Sequence, residues 1–125
     1  KKKMIKRKNL FYNQFNNIDH LQYIIVAYEN GKAVGCGALK DYETNALEIK
    51  RMFVLPGSRG EGIAKNILSE LEKWAVDLSI GRCILETGIK QPEAIGLYKK
   101  AGYKLMPNYG KYKGIANSIC FEKLL

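Results

Sequence analysis

The chain has 125 residues, 46% hydrophobic and 26% charged, the proportions of one ordinary globular domain. That composition excludes a collagen-like repeat, a disordered tail and a disulfide-dense miniature scaffold. A formal charge of +9 suggests a nucleic-acid binder, but residues 1–8 (KKKMIKRK) hold six of the 21 basic side chains and no acid, leaving +3 elsewhere.

The front of the chain, residues 1–21, reads as a basic, flexible or partly helical segment, with FYNQFNNIDHL either one helix or an extended piece. No apolar run approaches the roughly 20 residues of a membrane span, and the start lacks the apolar core of a secretory signal. From residue 22 to 125 the pattern is that of one domain. QYIIVAYENGKAVGCGALK predicts two strands joined at Asn30-Gly31, the pair that suits a type I′ turn. A third strand, ALEIKRMFVLP, follows a polar turn at 41–45. After Gly-Ser-Arg-Gly, apolar residues from Ile63 to Leu78 recur at three- and four-residue steps, which predicts an amphipathic helix stopped by Gly81. RCILETG reads as a strand. Pro92 then opens a second helix, PEAIGLYKKAG, ending at Gly102. YKLMP and GIANSICFEKLL supply two more strands around a tyrosine-rich loop. Antiparallel pairing followed by a βαβ crossover predicts a mixed α/β sheet with packed helices.

Cys36, Cys83 and Cys120 are odd in number, far apart and free of any CxxC, which speaks against a disulfide framework or a zinc site. They read as packing residues of a reduced, cytoplasmic protein. His20, the only histidine, has no partner motif and reads as structural or exposed; no metal-ligand spacing is present.

The most informative stretch is VLPGSRGEGIAKNIL, with glycines at 57, 60 and 62 between a strand end and a helix start. Glycine lets backbone approach a ligand, and the free N–H groups of a first helical turn suit phosphate oxygens. A Walker A loop needs Gly-Lys-Ser/Thr, but Ile63 and Ala64 follow Gly62. A dinucleotide fingerprint from Gly60 needs a small residue where Lys65 stands. A glycine loop without a ligand is the plain alternative.

RGEGIA (Arg59–Ala64) matches the [QR]-x-x-G-x-[GA] signature of the GNAT superfamily of N-acetyltransferases. The resemblance extends through EIKRMFVLP, the helix to Trp74, LETGIKQPEAIGLYKKAGY and the closing SICFEKLL, covering about residues 22–125. It implies a GNAT fold: a mixed, mostly antiparallel sheet splayed at an acetyl-CoA cleft, with helices on both faces. It implies that Arg59, Gly60, Gly62, Ile63 and Ala64 bind the coenzyme's pyrophosphate, with Glu61 and Lys65 beside them. Met52, Phe53 and Val54 would pair with the pantetheine arm through their main chain, one N–H stabilising the oxyanion. Gln91 takes the place of a pantetheine-binding asparagine, and Lys100, with Lys99, is placed to reach the 3′-phosphate or to stand in solvent.

For the chemistry, Glu48 resembles the glutamate that accepts the amine's proton in one GNAT branch; the alternative is a strand glutamate paired with Lys50. Strand alternation puts Glu48, Lys50, Met52 and Val54 on one face unless a bulge intervenes. Tyr98 matches the tyrosine that donates a proton to the coenzyme thiolate, with an ordinary pKa of about 10 against about 8.5 for a thiol; the alternative is a core tyrosine. The function implied is transfer of acetyl from acetyl-CoA, as cosubstrate, to a primary amine by direct attack in a ternary complex, with no metal. A non-catalytic acyl-CoA-binding sensor or interaction module is the alternative.

A nucleic-acid partner lacks a motif in the body, and no membrane partner is indicated. The resemblance allows a homodimer and several acceptors: polyamines, aminoglycosides, amino acids or protein amino groups. Tyr109 and Tyr112 are candidates to line the acceptor pocket, where aromatic faces suit a cationic amine. The short front end implies that the acceptor-side elements are incomplete.

Overall fold

The computed structural model describes residues 2–9 and 23–125. Its strands are β1 (Lys3–Asn9), β2 (Tyr23–Glu29), β3 (Lys32–Glu43), β4 (Ala46–Val54), β5 (Arg82–Gly88), β6 (Lys104–Met106) and β7 (Ser118–Leu124). Two α-helices, α1 (Ile63–Asp77) and α2 (Pro92–Lys100), flank β5 in sequence. The strands form one sheet in the order β1-β2-β3-β4-β5-β7-β6. Only the β4–β5 pair is parallel, the consequence of the crossover through α1.

Local chemistry sets most of these elements. Asn30 and Gly31 have φ values of 52° and 81°, the paired positive dihedrals that let a two-residue turn follow the twist of its strands. The polar stretch expected to turn at 41–45 instead carries β3 out to Glu43, leaving Thr44 and Asn45 as the turn. Helix α1 ends at Asp77, earlier than the glycine expected to stop it. Ile80 N–H donates to Ala75 O and Ser79 N–H to Val76 O, with Ser79 left-handed at φ 62°. Those bonds satisfy the last carbonyls without glycine. Gly81 serves a different purpose: its N–H donates to Asn45 Oδ1 at 2.8 Å, tying the helix exit to the β3–β4 turn.

Both helices pack on one face of the sheet, against Ile25, Leu39, Ile49, Leu85 and Phe121. Burying each such side chain contributes about 1.5–3 kcal/mol. α1 comes close to β3 because Gly35 and Gly37 lie beneath it. A Cβ on Gly37 would stand 2.8 Å from Ile67 and 3.0 Å from Leu71. The opposite face holds a smaller cluster, Ile84 and Cys120 under Tyr109, with Tyr112 against it. Described helices thus cover one face. The segment FYNQFNNIDHL, with His20, and the first predicted strand residue, Gln22, lie outside the described residues.

The basic front end, expected to be flexible or partly helical, is in part a strand. Lys3–Asn9 pairs antiparallel with all of β2, from Lys3↔Glu29 to Asn9↔Tyr23. Its cationic side chains lie on aromatic rings: Arg7 over Trp74 at 5.1 Å, Lys6 and Lys8 over Tyr28, each at 5.7 Å. Arg7 also pairs with Asp77 at 2.9 Å. Such an edge strand draws on ladder bonds and ring faces, so its sequence carries almost no apolar alternation.

Candidate active site

β4 and β5 pair only at Leu47↔Cys83 and Glu48↔Ile84. Beyond those residues the two strands diverge, leaving one edge of β4 without a ladder partner. The bend has a local cause. Arg51 is left-handed at φ 60°, and the β3–β4 register shifts between Cys36 and Ala38, the mark of a β-bulge. The bulge also changes faces. Leu47 and Ile49 belong to the main core, so Glu48 and Lys50 point to the opposite face; beyond Arg51, Met52 and Val54 point into the core side. The four side chains expected on one face are therefore divided two and two.

Two cavities occupy the splay. The first, of about 340 Å³, lies between the end of β4, the glycine loop and α2. Its walls include Met52, Phe53, Val54, Arg59, Gly60, Gly62, Ile63, Ala64, Lys65 and Gln91, all expected at a coenzyme site, together with Tyr98. The second, of about 620 Å³, includes Glu48, Lys50, Glu86, Thr87, Lys111 and Tyr112. Met52, Gln91, Ala94 and Tyr98 line both, so the cavities meet at those four residues.

The glycine loop leads into a helix start with no side-chain cap. Gly60 and Gly62 both have φ 81°, and Gly62 is the N-cap of α1. A Cβ on either would meet no protein atom within 4 Å, so glycine is required there by the dihedral and leaves open space outside. The first turn of α1 has neither a side-chain cap nor an acidic residue. Within that turn no side chain answers its N–H groups and dipole, which favours an anion. Glu61, expected beside this loop, instead pairs with Lys3 at 3.3 Å and does not line the cavity. Arg59 braces the loop: its Nε donates to Val54 O at 2.9 Å and its guanidinium lies 5.6 Å from the Phe53 ring. Lys100, and Lys99 with it, are exposed on α2 and line neither cavity.

Glu48 is 7% exposed, at the floor of the second cavity. Tyr109 Oη donates to Glu48 Oε2 at 2.7 Å, and Lys50 Nζ stands 3.9 Å from the same oxygen. Burial, then this hydrogen bond, pushes the Tyr109 phenol well above its ordinary value, so it acts as a neutral donor. Tyr109 is also packed edge-on against Tyr42 and Tyr112, at 5.2 and 5.5 Å. Tyr98 is buried, in ring contact with Tyr103 and Phe121, and burial pushes its pKa up to about 12. Glu86 Oε2 accepts a 2.6 Å bond from Ser118 Oγ.

No cysteine lines either cavity. Burial pushes Cys83 up to about 12 and raises Cys36 and Cys120, so each keeps its proton at neutral pH. Among the described residues no group of His, Cys, Asp and Glu is placed to hold a metal ion, and no helix is long and apolar enough to cross a membrane.

Sequence reasoning did not find the contact between Tyr109 and Glu48, nor Lys111 and Arg51 in the second cavity. The tyrosine- and lysine-rich run YGKYKG was the available signal, but nothing in it names a partner on β4.

Residues 3–103 match the model of the Acetyltransferase (GNAT) family. An IAA acetyltransferase of Azospirillum brasilense is 38% identical over 102 residues, 81% of this chain and 67% of that protein. The chain spans about two thirds or less of the length of such curated relatives. Among solved structures, a Klebsiella pneumoniae chain ascribed to the acyl-CoA N-acyltransferases superposes with a TM-score of 0.86 at 27% identity, covering 98% of this chain and 97% of the other. A GNAT family acetyltransferase from Elizabethkingia anophelis with acetyl-CoA bound shares the fold, with a TM-score of 0.77 at 15% identity and 98% coverage of both chains.

Proposed function

The chain belongs to the GNAT acetyltransferase family, and we propose that it moves an acetyl group from acetyl-CoA to a primary amine by direct attack within a ternary complex. The observation that carries this reading is the meeting of two cavities at Met52, Gln91 and Tyr98. One cavity offers a helix start with no side-chain cap, and the other a buried carboxylate. The open space outside Gly60 and Gly62 suits a pyrophosphate, since the first turn of α1 has neither a side-chain cap nor an acidic residue of its own. The free edge of β4 at 52–54 is suited to hold an extended amide-bearing arm as a further strand would be held.

Acetyl-CoA supplies the acyl group as a thioester. In the transfer a C–N bond forms, the C–S bond breaks, the nitrogen loses a proton and the thiolate gains one. Glu48, at the floor of the acceptor cavity, is placed to take the amine's proton, directly or through water. Tyr109 and Lys50 hold its Oε2 in place. Tyr98, where the cavities meet, is placed to face the leaving sulfur. A phenol at about 12 holds its proton more tightly than a thiol at about 8.5. An acceptor that enters as an ammonium loses two protons, one to Glu48 before attack and one, after the C–N bond forms, that ends on sulfur, while Tyr98 serves chiefly as a hydrogen-bond donor to the departing thiolate. No cysteine lines either cavity, so an acyl-cysteine route has no nucleophile at the site.

The deciding experiment measures coenzyme binding by calorimetry and free thiol release against a panel of amines. Binding with amine-dependent release supports the proposal. Binding without release for any amine makes the protein an acyl-CoA sensor or interaction module instead.

A further inference from the structure

The acceptor cavity has a charge pattern that selects among amines. Its two carboxylates, Glu48 and Glu86, lie at the β4 and β5 walls, each already taking a short hydrogen bond from Tyr109 or Ser118. The rest of its ionised lining is cationic: Lys50, Arg51 and Lys111. The ring of Tyr112, which an amine cation would otherwise use as a platform, is occupied. Lys111 Nζ lies 5.5 Å from its centroid and Lys50 Nζ 5.9 Å, while Lys50 also donates to its hydroxyl at 3.3 Å. Lys50 has Glu48 at 3.9 Å. Lys111 is exposed, and among the described residues no acid stands within ion-pair distance of it.

A second ammonium on the acceptor, as in a polyamine or an aminoglycoside, would be brought against Lys111 and would find the aromatic face taken. A carboxylate in the same place meets Lys111 and completes its pairing. Resting on the acetyltransferase reading above, we propose that the acceptor is a small amine that carries a carboxylate, its amine directed to Glu48 and its carboxylate to Lys111. The ion pair forms at the cavity rim, so it acts on selectivity more than on the chemical step.

The test compares thiol release with an α-amino acid, its decarboxylated amine and a diamine of similar length, for the wild-type protein, Lys111→Ala and Lys111→Glu. Lys111 is exposed, and calorimetric coenzyme binding serves as the control for folding. Wild type is expected to favour the carboxylated amine in kcat/KM by about two- to fivefold, the scale of one exposed ion pair. That ratio should fall in Lys111→Ala and fall further or reverse in Lys111→Glu. A wild-type preference for the diamine or the decarboxylated amine overturns the inference and leaves the acetyltransferase reading standing. So does a ratio unmoved by both substitutions. Coenzyme binding with no thiol release from any amine overturns the acetyltransferase reading itself, and the inference with it.

Discussion

Tyr109 Oη donates a 2.7 Å hydrogen bond to Glu48 Oε2 across 61 residues of sequence, fastening the β6–β7 loop to the middle of β4. The bond fixes one carboxylate oxygen in the wall of the second cavity. If Glu48 is the base, Glu48→Gln should lower kcat by about 10²–10⁴-fold, the usual range for a general base. Coenzyme affinity should change little. Tyr109→Phe should cost about 1.5–3 kcal/mol of stability, as for a hydrogen bond to a charged group, with a smaller loss of turnover. Urea denaturation and steady-state kinetics on the two variants decide this. Full turnover in Glu48→Gln would move the base to a water chain.

Tyr98 gives a prediction in pH. Its phenol, pushed up to about 12 by burial, stays protonated through neutral and mildly alkaline conditions. No alkaline decline in kcat below about pH 11 should therefore trace to Tyr98. Tyr98→Phe should reduce kcat by about 10–100-fold at every pH from 6 to 10, the scale of one hydrogen bond to a charged group. A constant ratio of the two rate profiles checks this; a ratio that closes as pH rises would place the phenol's titration lower and give it a different part.

The glycine loop separates strain from steric exclusion. Gly62→Ala meets no protein atom, so its stability cost should be the left-handed penalty of about 1–2 kcal/mol. Its Cβ would stand where the pyrophosphate is proposed to approach, so coenzyme binding should weaken by about 10–100-fold, as for one lost charge-assisted contact. Gly96→Ala is the control. Gly96 lies within α2 in ordinary backbone with open space around it, and this change should stabilise by about 0.5–1 kcal/mol. Thermal melts paired with calorimetry read both effects.

Gly37 links the core to the site. A Cβ there would stand 2.7 Å from Met52 Sδ, and Met52 lines both cavities. Gly37→Ala should cost about 1–3 kcal/mol through overpacking. By displacing Met52 it should also raise the KM for both substrates. Loss of stability with unchanged KM values would show that Ile67 and Leu71 absorb the strain instead.

The elements legible in the sequence are those set by near neighbours. The Asn30-Gly31 turn, the apolar stripe of α1, Pro92 at the start of α2 and the glycines before Ile63 each act within a few residues. That Arg59, Gly60 and Gly62–Lys65 line one cavity was legible for the same reason, since they belong to one continuous loop and helix start. Glu61 and Lys100 departed from expectation because their directions depend on what stands opposite. Lys3 draws Glu61 away, and Lys100 lies on the solvent side of α2. Strand β1 was illegible because its cations rest on Tyr28 and Trp74, partners outside its own sequence.

The length, the +3 of the body and the glycine spacing by themselves set the expectation of one domain with a loop suited to a phosphate-bearing ligand. Tertiary structure alone decided how the second cavity is built. The left-handed Arg51 bulge sends Glu48 and Met52 to opposite faces, and the β6–β7 loop then brings Tyr109 to one and Lys111 to the rim. Dihedral preference and periodicity are local quantities. Register, strand divergence and the pairing of a tyrosine with a glutamate 61 residues away are settled only when the sheet and its covering loop pack together.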